Sequence, residues 1–144
     1  MAAILEARLA VSIIIKTLNE EKRIAATIES ALSALGEIPG EVVIADSGSS
    51  DRTVEIAQRY PVVIAQIMPP ARPSCGIGPQ LGFQHSRGDY LCLLDGDMLL
   101  DPGFLGDAIR FLERNPTVAG VTGHVEEMQT ANLEYARRVQ RHAP

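Results

Sequence analysis

Two cysteines are all the chain has, and no apolar stretch in its 144 residues approaches the roughly 18 needed to cross a membrane. Cys75 and Cys92 have no His or Cys neighbours at short spacing, which indicates neither a disulfide framework nor a zinc site; a loop thiol and a strand-core thiol are expected. Positive charge is also scarce: 13 Lys and Arg stand against 18 Asp and Glu, a formal net charge of −5. That balance argues against a surface built mainly to hold nucleic acid or anionic lipid. Glu6 and Arg8 interrupt the apolar start where a signal peptide needs an unbroken apolar stretch, so the cytoplasm, or the cytoplasmic face of a membrane, is the expected location. Internal repeats and low-complexity segments are lacking. With 46% hydrophobic and 22% charged residues, residues 1–144 read as one globular domain.

Apolar runs alternate with helical patterns along the chain. Residues 11–15 form a β-branched run broken by Ser12, the pattern of a strand buried on both faces. From Asn19 onward Ile24, Ile28, Leu32 and Leu35 recur at helical spacing, and Gly36 follows as a C-cap. The cycle repeats with a strand at 42–45, an N-cap at Ser49 or Ser50, a helix to about Arg59, and a third strand at 62–65. Residues 66–79 hold four prolines and two glycines, so an irregular connection, mobile and near the ligand entrance, is expected there. A short helix at 80–87 and a fourth strand at 90–94 come next. Asp101 and Pro102 then open a helix that Asn115-Pro116 closes. A fifth strand is expected at 118–121, and an amphipathic helix from 125 to about 142. Alternation of this kind specifies an α/β fold with a mostly parallel sheet.

In an open α/β sheet the ligand crevice lies beyond the C-terminal strand ends. Strand one runs into Lys16-Thr17-Leu18-Asn19-Glu20, strand two into Asp46-Ser47-Gly48-Ser49-Ser50-Asp51, and strand four into Asp95-Gly96-Asp97. Singly, each has a structural explanation as a cap or a turn. Together they bring carboxylates to one edge, with the Asp95 and Asp97 carboxylates expected on the same side. Two hard oxygen ligands so placed suit Mg²⁺ or Mn²⁺, completed by water and substrate phosphate. Asp46, at a neighbouring strand end, is placed to meet a ribose hydroxyl or a base N–H. A nucleoside diphosphate with its metal is the ligand this pattern describes.

The order I-I-I-x-T-x-N-E-E, then V-V-I-A-D-S-G-S-S-D-R-T, then G-D-Y-L-C-L-L-D-G-D-M-x-L-x-P-G-F-L resembles the N-terminal, nucleotide-sugar-binding half of family 2 glycosyltransferases, from about Val11 to Gly123. The resemblance implies a GT-A (Rossmann-like) three-layer sandwich and an inverting transferase that takes a sugar from a nucleoside-diphosphate donor with a divalent metal, Mn²⁺ or Mg²⁺. It implies that Thr17, Asn19 and Glu20 line the base and ribose pocket, that Asp46 sits at the nucleoside, that Asp95 faces the ribose and diphosphate, and that Asp97 ligates the metal. The acceptor, whether sugar, lipid or protein, is not specified.

Three departures stand out. Lys16 occupies a place where the family usually has Pro, and a lysine there is able to reach a phosphate. Ser47 replaces the second of two successive Asp. Pro79-Gln80-Leu81-Gly82 keeps only the glycine of an Arg-Asn-x-Gly pattern whose Arg lies near the pyrophosphate, which leaves Arg72 and Arg87 as substitutes. The family's acceptor half and its general base come later than residue 144, so the fold is expected to be truncated before the acceptor-binding half. The 144 residues alone are expected to transfer no sugar and to self-associate through the final helix. A non-catalytic nucleotide-binding module is the alternative. A nucleotidyltransferase fits less well, because no Gly-rich phosphate loop follows strand one, and a dehydrogenase is disfavoured by the lack of G-x-G-x-x-G there.

Overall fold

The computed structural model describes residues 9–68, 74, 76–126 and 128. Strands β1 (Val11–Thr17), β2 (Gly40–Asp46), β3 (Val63–Gln66) and β4 (Tyr90–Asp95) alternate with helices α1 (Ile24–Leu35), α2 (Thr53–Ala57), α3 (Ile77–Gln84) and α4 (Phe104–Arg114). The sheet has the order β3-β2-β1-β4, and every pairing is parallel. The mostly parallel α/β architecture read from the alternation is therefore present, with β1 at the centre.

Alternation along β1 assigns its side chains to two layers. Val11, Ile13 and Ile15 join Val42 and Ile44 of β2 under Ile24, Ile28, Ala31 and Leu35 of α1, with Ala57 of α2 and Leu105 of α4 at the margins. Fully burying each such Ile contributes about 1.5–3 kcal/mol, so this layer is the main source of stability. On the opposite face lies α3, drawn close because Gly82 carries no side chain: a Cβ there would fall 2.2 Å from Ile14 Cγ2. Beside it, Phe83, Leu91 and Leu93 stay exposed and line an apolar trough of about 360 Å³ with Ile14 and Pro79.

Several boundaries differ from the sequence pattern for local reasons. Helix α1 starts at Ile24, not near Asn19, which adopts a left-handed φ of 57° outside the helix. Helix α2 is short and begins after Asp51, whose Oδ1 accepts the Thr53 N–H at 2.9 Å, because Ser49 and Ser50 are engaged elsewhere. Helix α3 starts three residues earlier than expected and takes Pro79 into its first turn, where a missing N–H removes no helical bond. It stops at Gln84; further on, the Arg87 and Gly88 N–H groups donate to Glu41 and Ser12.

The expected fifth strand is corrected. Residues 118–121 are exposed and carry no strand, since an apolar run becomes one only when a neighbour pairs with its backbone. Most of the irregular connection, with Arg72 and Cys75, and nearly all of the helix expected from 125 lie outside the described residues. Cys92 is half-buried on β4, and burial pushes its thiol pKa up, the state of an unreactive core cysteine. Among the described residues no helix is long and apolar enough to cross a membrane.

Candidate functional site

Parallel pairing in register carries the C-terminal ends of three strands to one edge. Thr17 is opposite Asp46, and Lys16 is opposite both Ala45 and Asp95. Pleating then separates these groups by face. Thr17 and Asp46 point to the α1 layer, whereas Lys16 and Asp95 point to the α3 layer.

Asp46 is wholly buried and its carboxylate is saturated. Oδ1 accepts the Thr17 hydroxyl at 3.0 Å and the Ser49 hydroxyl. Oδ2 accepts the Gly48 N–H at 3.0 Å, the Ser49 N–H at 2.8 Å and the Gln66 amide at 2.9 Å. A carboxylate offers about four lone-pair sites. In this state Asp46 and the buried Thr17 form the floor beneath the loop at 47–49 and are turned inward, with Gly48 at φ 92° letting that loop fold back over them.

The loops after β1 and β2 are stitched together. Asn19 N–H donates to Ser49 Oγ at 2.8 Å, Glu20 N–H to Thr53 Oγ1 at 2.7 Å, and Glu21 N–H to Asp51 Oδ2 at 3.1 Å. In return the Asn19 carboxamide oxygen accepts the Ser50 N–H at 2.8 Å, and Glu21 Oε2 accepts the Arg52 N–H at 3.2 Å. These bonds enclose a polar depression of about 230 Å³ lined by Asn19, Glu20, Glu21, Lys22, Arg23 and Asp51. For Asp51, burial acts upward, but hydrogen bonds from the Thr53 hydroxyl and N–H and from Glu21 N–H outweigh it and hold the carboxyl pKa below its ordinary value.

The Asp95-Gly96-Asp97 turn is fixed through its glycine: Gly96 N–H donates to the Lys16 carbonyl at 3.0 Å, and the Gly96 carbonyl accepts the Thr27 hydroxyl at 2.9 Å. The two carboxylates find different cations. Lys16 Nζ is 2.7 Å from Asp95 Oδ1, while Arg23 lies 3.2 Å from Asp97 Oδ2 and 3.6 Å from Glu20 Oε2. Burial raises the Glu20 pKa, with Asp97, Asp51 and Asp95 adding to the rise and Arg23 opposing it. Excess negative charge is thus concentrated where Glu20 faces the turn.

Asp95 and Asp97 are the carboxylates of this turn that could ligate a hard divalent ion; the sequence pattern puts them on the same side, whereas the structure turns Asp95 to Lys16 on the α3 side and Asp97 to Arg23. Asp95 and Asp97 are about half exposed, at 47% and 44%, and each is paired with a cation that a metal can displace. No cluster of three or more His, Cys, Asp or Glu able to hold a metal occurs among the described residues. Mg²⁺ and Mn²⁺ commonly take one or two carboxylates and complete their shell with water and phosphate. Of the residues singled out from the sequence, Asn19 and Glu20 line the depression, Asp95 and Asp97 stand half-exposed at the end of β4, and Thr17 and Asp46 are buried. Sequence reasoning missed Arg23, Gln66 and Thr53. An Asp-x-Thr spacing at 51–53 signals the last of these, but the partners of Arg23 and Gln66 depend on strand order.

The low-salt glycan biosynthesis hexosyltransferase of Haloferax volcanii is 40% identical over 92 residues, which cover 62% of this chain and 21% of that protein. A dolichyl-phosphate beta-glucosyltransferase of Trichomonas vaginalis is 31% identical over 127 residues, 78% of this chain and 38% of its own length. Among solved structures, glucosyl-3-phosphoglycerate synthase from Mycobacterium tuberculosis in complex with Mn²⁺, uridine diphosphate and phosphoglyceric acid matches with a TM-score of 0.60 at 25% identity, over 78% of this chain and 40% of that one. The chain therefore spans between 21% and 38% of the length of these two curated relatives. With the model of glycosyl transferase family 2 matching residues 12–142, through the three strand ends that build the site, the chain belongs to that family.

Proposed function

We propose that these residues form the donor-binding part of an inverting glycosyltransferase that takes a sugar from a nucleoside diphosphate. The observation that carries this reading is the convergence of the stitched loops after β1 and β2 with the Asp95-Gly96-Asp97 turn at one sheet edge. A mycobacterial relative in the same family fold holds Mn²⁺ and uridine diphosphate, which favours a uridine nucleotide as the first donor to test.

Each residue has a part in this scheme. Asp46, by holding Gly48 and Ser49, shapes the nucleoside pocket, and Asn19 locks that pocket to the loop after β1. Asp95 faces the ribose and diphosphate. Asp97, with Glu20 nearby, would hold the divalent ion in place of its contact with Arg23, and the ion would supply positive charge to the departing diphosphate. In inverting transfer a carboxylate base deprotonates the acceptor hydroxyl, which attacks the anomeric carbon from the side opposite the diphosphate. The acceptor is a hydroxyl of a sugar, lipid or protein, and the cytoplasm or the cytoplasmic face of a membrane is the proposed location. Self-association is proposed to involve the segment after residue 125.

Calorimetric titration of the chain with uridine diphosphate, in Mn²⁺ and in EDTA, tests the reading. Saturable binding that Mn²⁺ tightens at least tenfold is expected, with Asp97→Ala removing the enhancement. Equal affinity in EDTA and Mn²⁺ rules out the metal role, and no saturable binding rules out donor binding.

A further inference from the structure

Lys16 is the penultimate residue of the central strand, and its ammonium emerges in the middle of the C-terminal edge between β2 and β4. A lysine used only to close a core would be covered. This one is 39% exposed and paired with an Asp95 that is 47% exposed, an ion pair that solvent screens and that contributes little to stability. Such a contact exchanges readily for a better anion. A diphosphate carries more charge than a carboxylate and offers more acceptor oxygens.

Among the described residues, Arg87 and Arg23 have different places. Arg87 lies beyond the opposite, N-terminal end of β1, where its guanidinium meets the Glu41 carboxylate at 2.9 and 3.2 Å and its N–H donates to the same group at 2.7 Å. Leaving would strip a carboxylate that is only 8% exposed of these donors. Arg23 sits on the α1 side, bridging Asp97 and Glu20. Lys16 stands on the α3 side, and Gly78 in the first turn of α3 comes so close that a Cβ there would lie 3.0 Å from Lys16 Cβ and 3.6 Å from Ser47 Oγ. The stem is thereby flanked at its base, and the ammonium meets Asp95 at the strand ends. The positive end of the α3 dipole at this point also favours an anion.

We infer that Lys16 binds the diphosphate of the donor, doing the work of the arginine that the related pattern carries ahead of the fourth strand; the inference rests on the proposed donor-binding function. Before the donor arrives Lys16 neutralises Asp95. Once the donor is bound, the ammonium transfers to the diphosphate oxygens, releases Asp95 toward the ribose, and stabilises the charge that grows on the leaving group as the glycosidic bond breaks. No proton or covalent bond changes hands at Lys16 in this role.

The test compares uridine diphosphate with uridine, both in Mn²⁺, on the parent chain, Lys16→Gln and Lys16→Arg, using calorimetry for the first ligand and saturation-transfer NMR for the second. Lys16→Gln is expected to weaken uridine diphosphate about tenfold, the loss of one charge-assisted contact, and to leave uridine within twofold. Lys16→Arg is expected to restore most of the difference. Unchanged affinity of Lys16→Gln for uridine diphosphate, or an equal loss for both ligands, overturns the inference while leaving donor binding intact. A parent chain that binds neither ligand overturns the functional reading and the inference with it. Thermal unfolding of each variant separates loss of contact from loss of fold.

Discussion

The Asn19 carboxamide oxygen accepts the Ser50 N–H at 2.8 Å while the Asn19 backbone N–H donates to Ser49 Oγ at the same distance, so one residue clasps the loop after β2 from both its side chain and its main chain. It does this at φ 57°, a left-handed conformation that Asn tolerates better than other side chains. Sequence reading treats Asn19 as a helix cap or a pocket residue; the structure makes it the joint between two loops.

Asn19→Ala is therefore expected to destabilise the chain by about 1–2 kcal/mol, through lost bonds and the left-handed backbone together. Asn19→Gly keeps the backbone permissive and isolates the hydrogen-bond part. Urea denaturation of both variants checks this: the glycine variant is expected to be the more stable of the two.

Asp46→Asn preserves size but turns an acceptor-only group into one whose NH₂ faces donors. Its remaining oxygen can stay on the Gly48, Ser49 and Gln66 N–H groups, but the NH₂ then meets the Thr17 and Ser49 hydroxyls, which must turn to accept, and every bond to the carboxylate loses its charge assistance. A loss of about 1.5–3 kcal/mol is expected in urea denaturation. Asp97→Ala, at a half-exposed position, is expected to change stability by no more than about 0.5 kcal/mol. The contrast distinguishes a residue that builds the pocket from one that meets the ligand.

Glu41 supplies the pH dependence. Burial acts to raise its pKa, but the Ser12 hydroxyl, the Arg87 N–H and the Arg87 guanidinium outweigh it and hold the carboxyl below the ordinary glutamate value. A depressed pKa means that the folded state binds this proton less tightly than the unfolded chain does. Its stabilisation is complete above the ordinary value, about pH 4 to 5, and fades as the pH falls through the folded-state value. Glu41→Gln is expected to be less stable than the parent at pH 7, with the gap narrowing below about pH 4. Thermal unfolding across that range is the measurement, and a gap independent of pH contradicts the assignment.

Gly82→Ala places a Cβ against Ile14, a fully buried, β-branched residue with one easy rotamer. Overpacking of this kind costs about 1–3 kcal/mol, more than the helix propensity that alanine adds. Combining it with Ile14→Ala is expected to restore part of the loss, so the double-mutant cycle is expected to be non-additive.

The local code was readable wherever local forces decide the outcome. The β-branched runs became β1, β2 and β3 and the leucine-rich run became β4 because such side chains fit a pleated sheet, with β1 and β2 buried on both faces, and the Asp- and Ser-rich stretches fell at strand ends because short polar side chains satisfy the backbone where a ladder stops. At 118–121 the same reading failed, since an apolar run carries no record of whether a neighbour will pair with it.

Tertiary structure decided what each site residue does. The order β3-β2-β1-β4 places Lys16 beside Asp95, and pleating turns that pair to the α3 face while Asp46 turns inward to meet Thr17, Ser49 and Gln66. Composition and periodicity could determine that carboxylates would gather at one edge of a parallel sheet. They could not determine which carboxylate is saturated by the protein and which remains open to a ligand, because hydrogen-bond and ion-pair partners are chosen by register between strands distant in sequence.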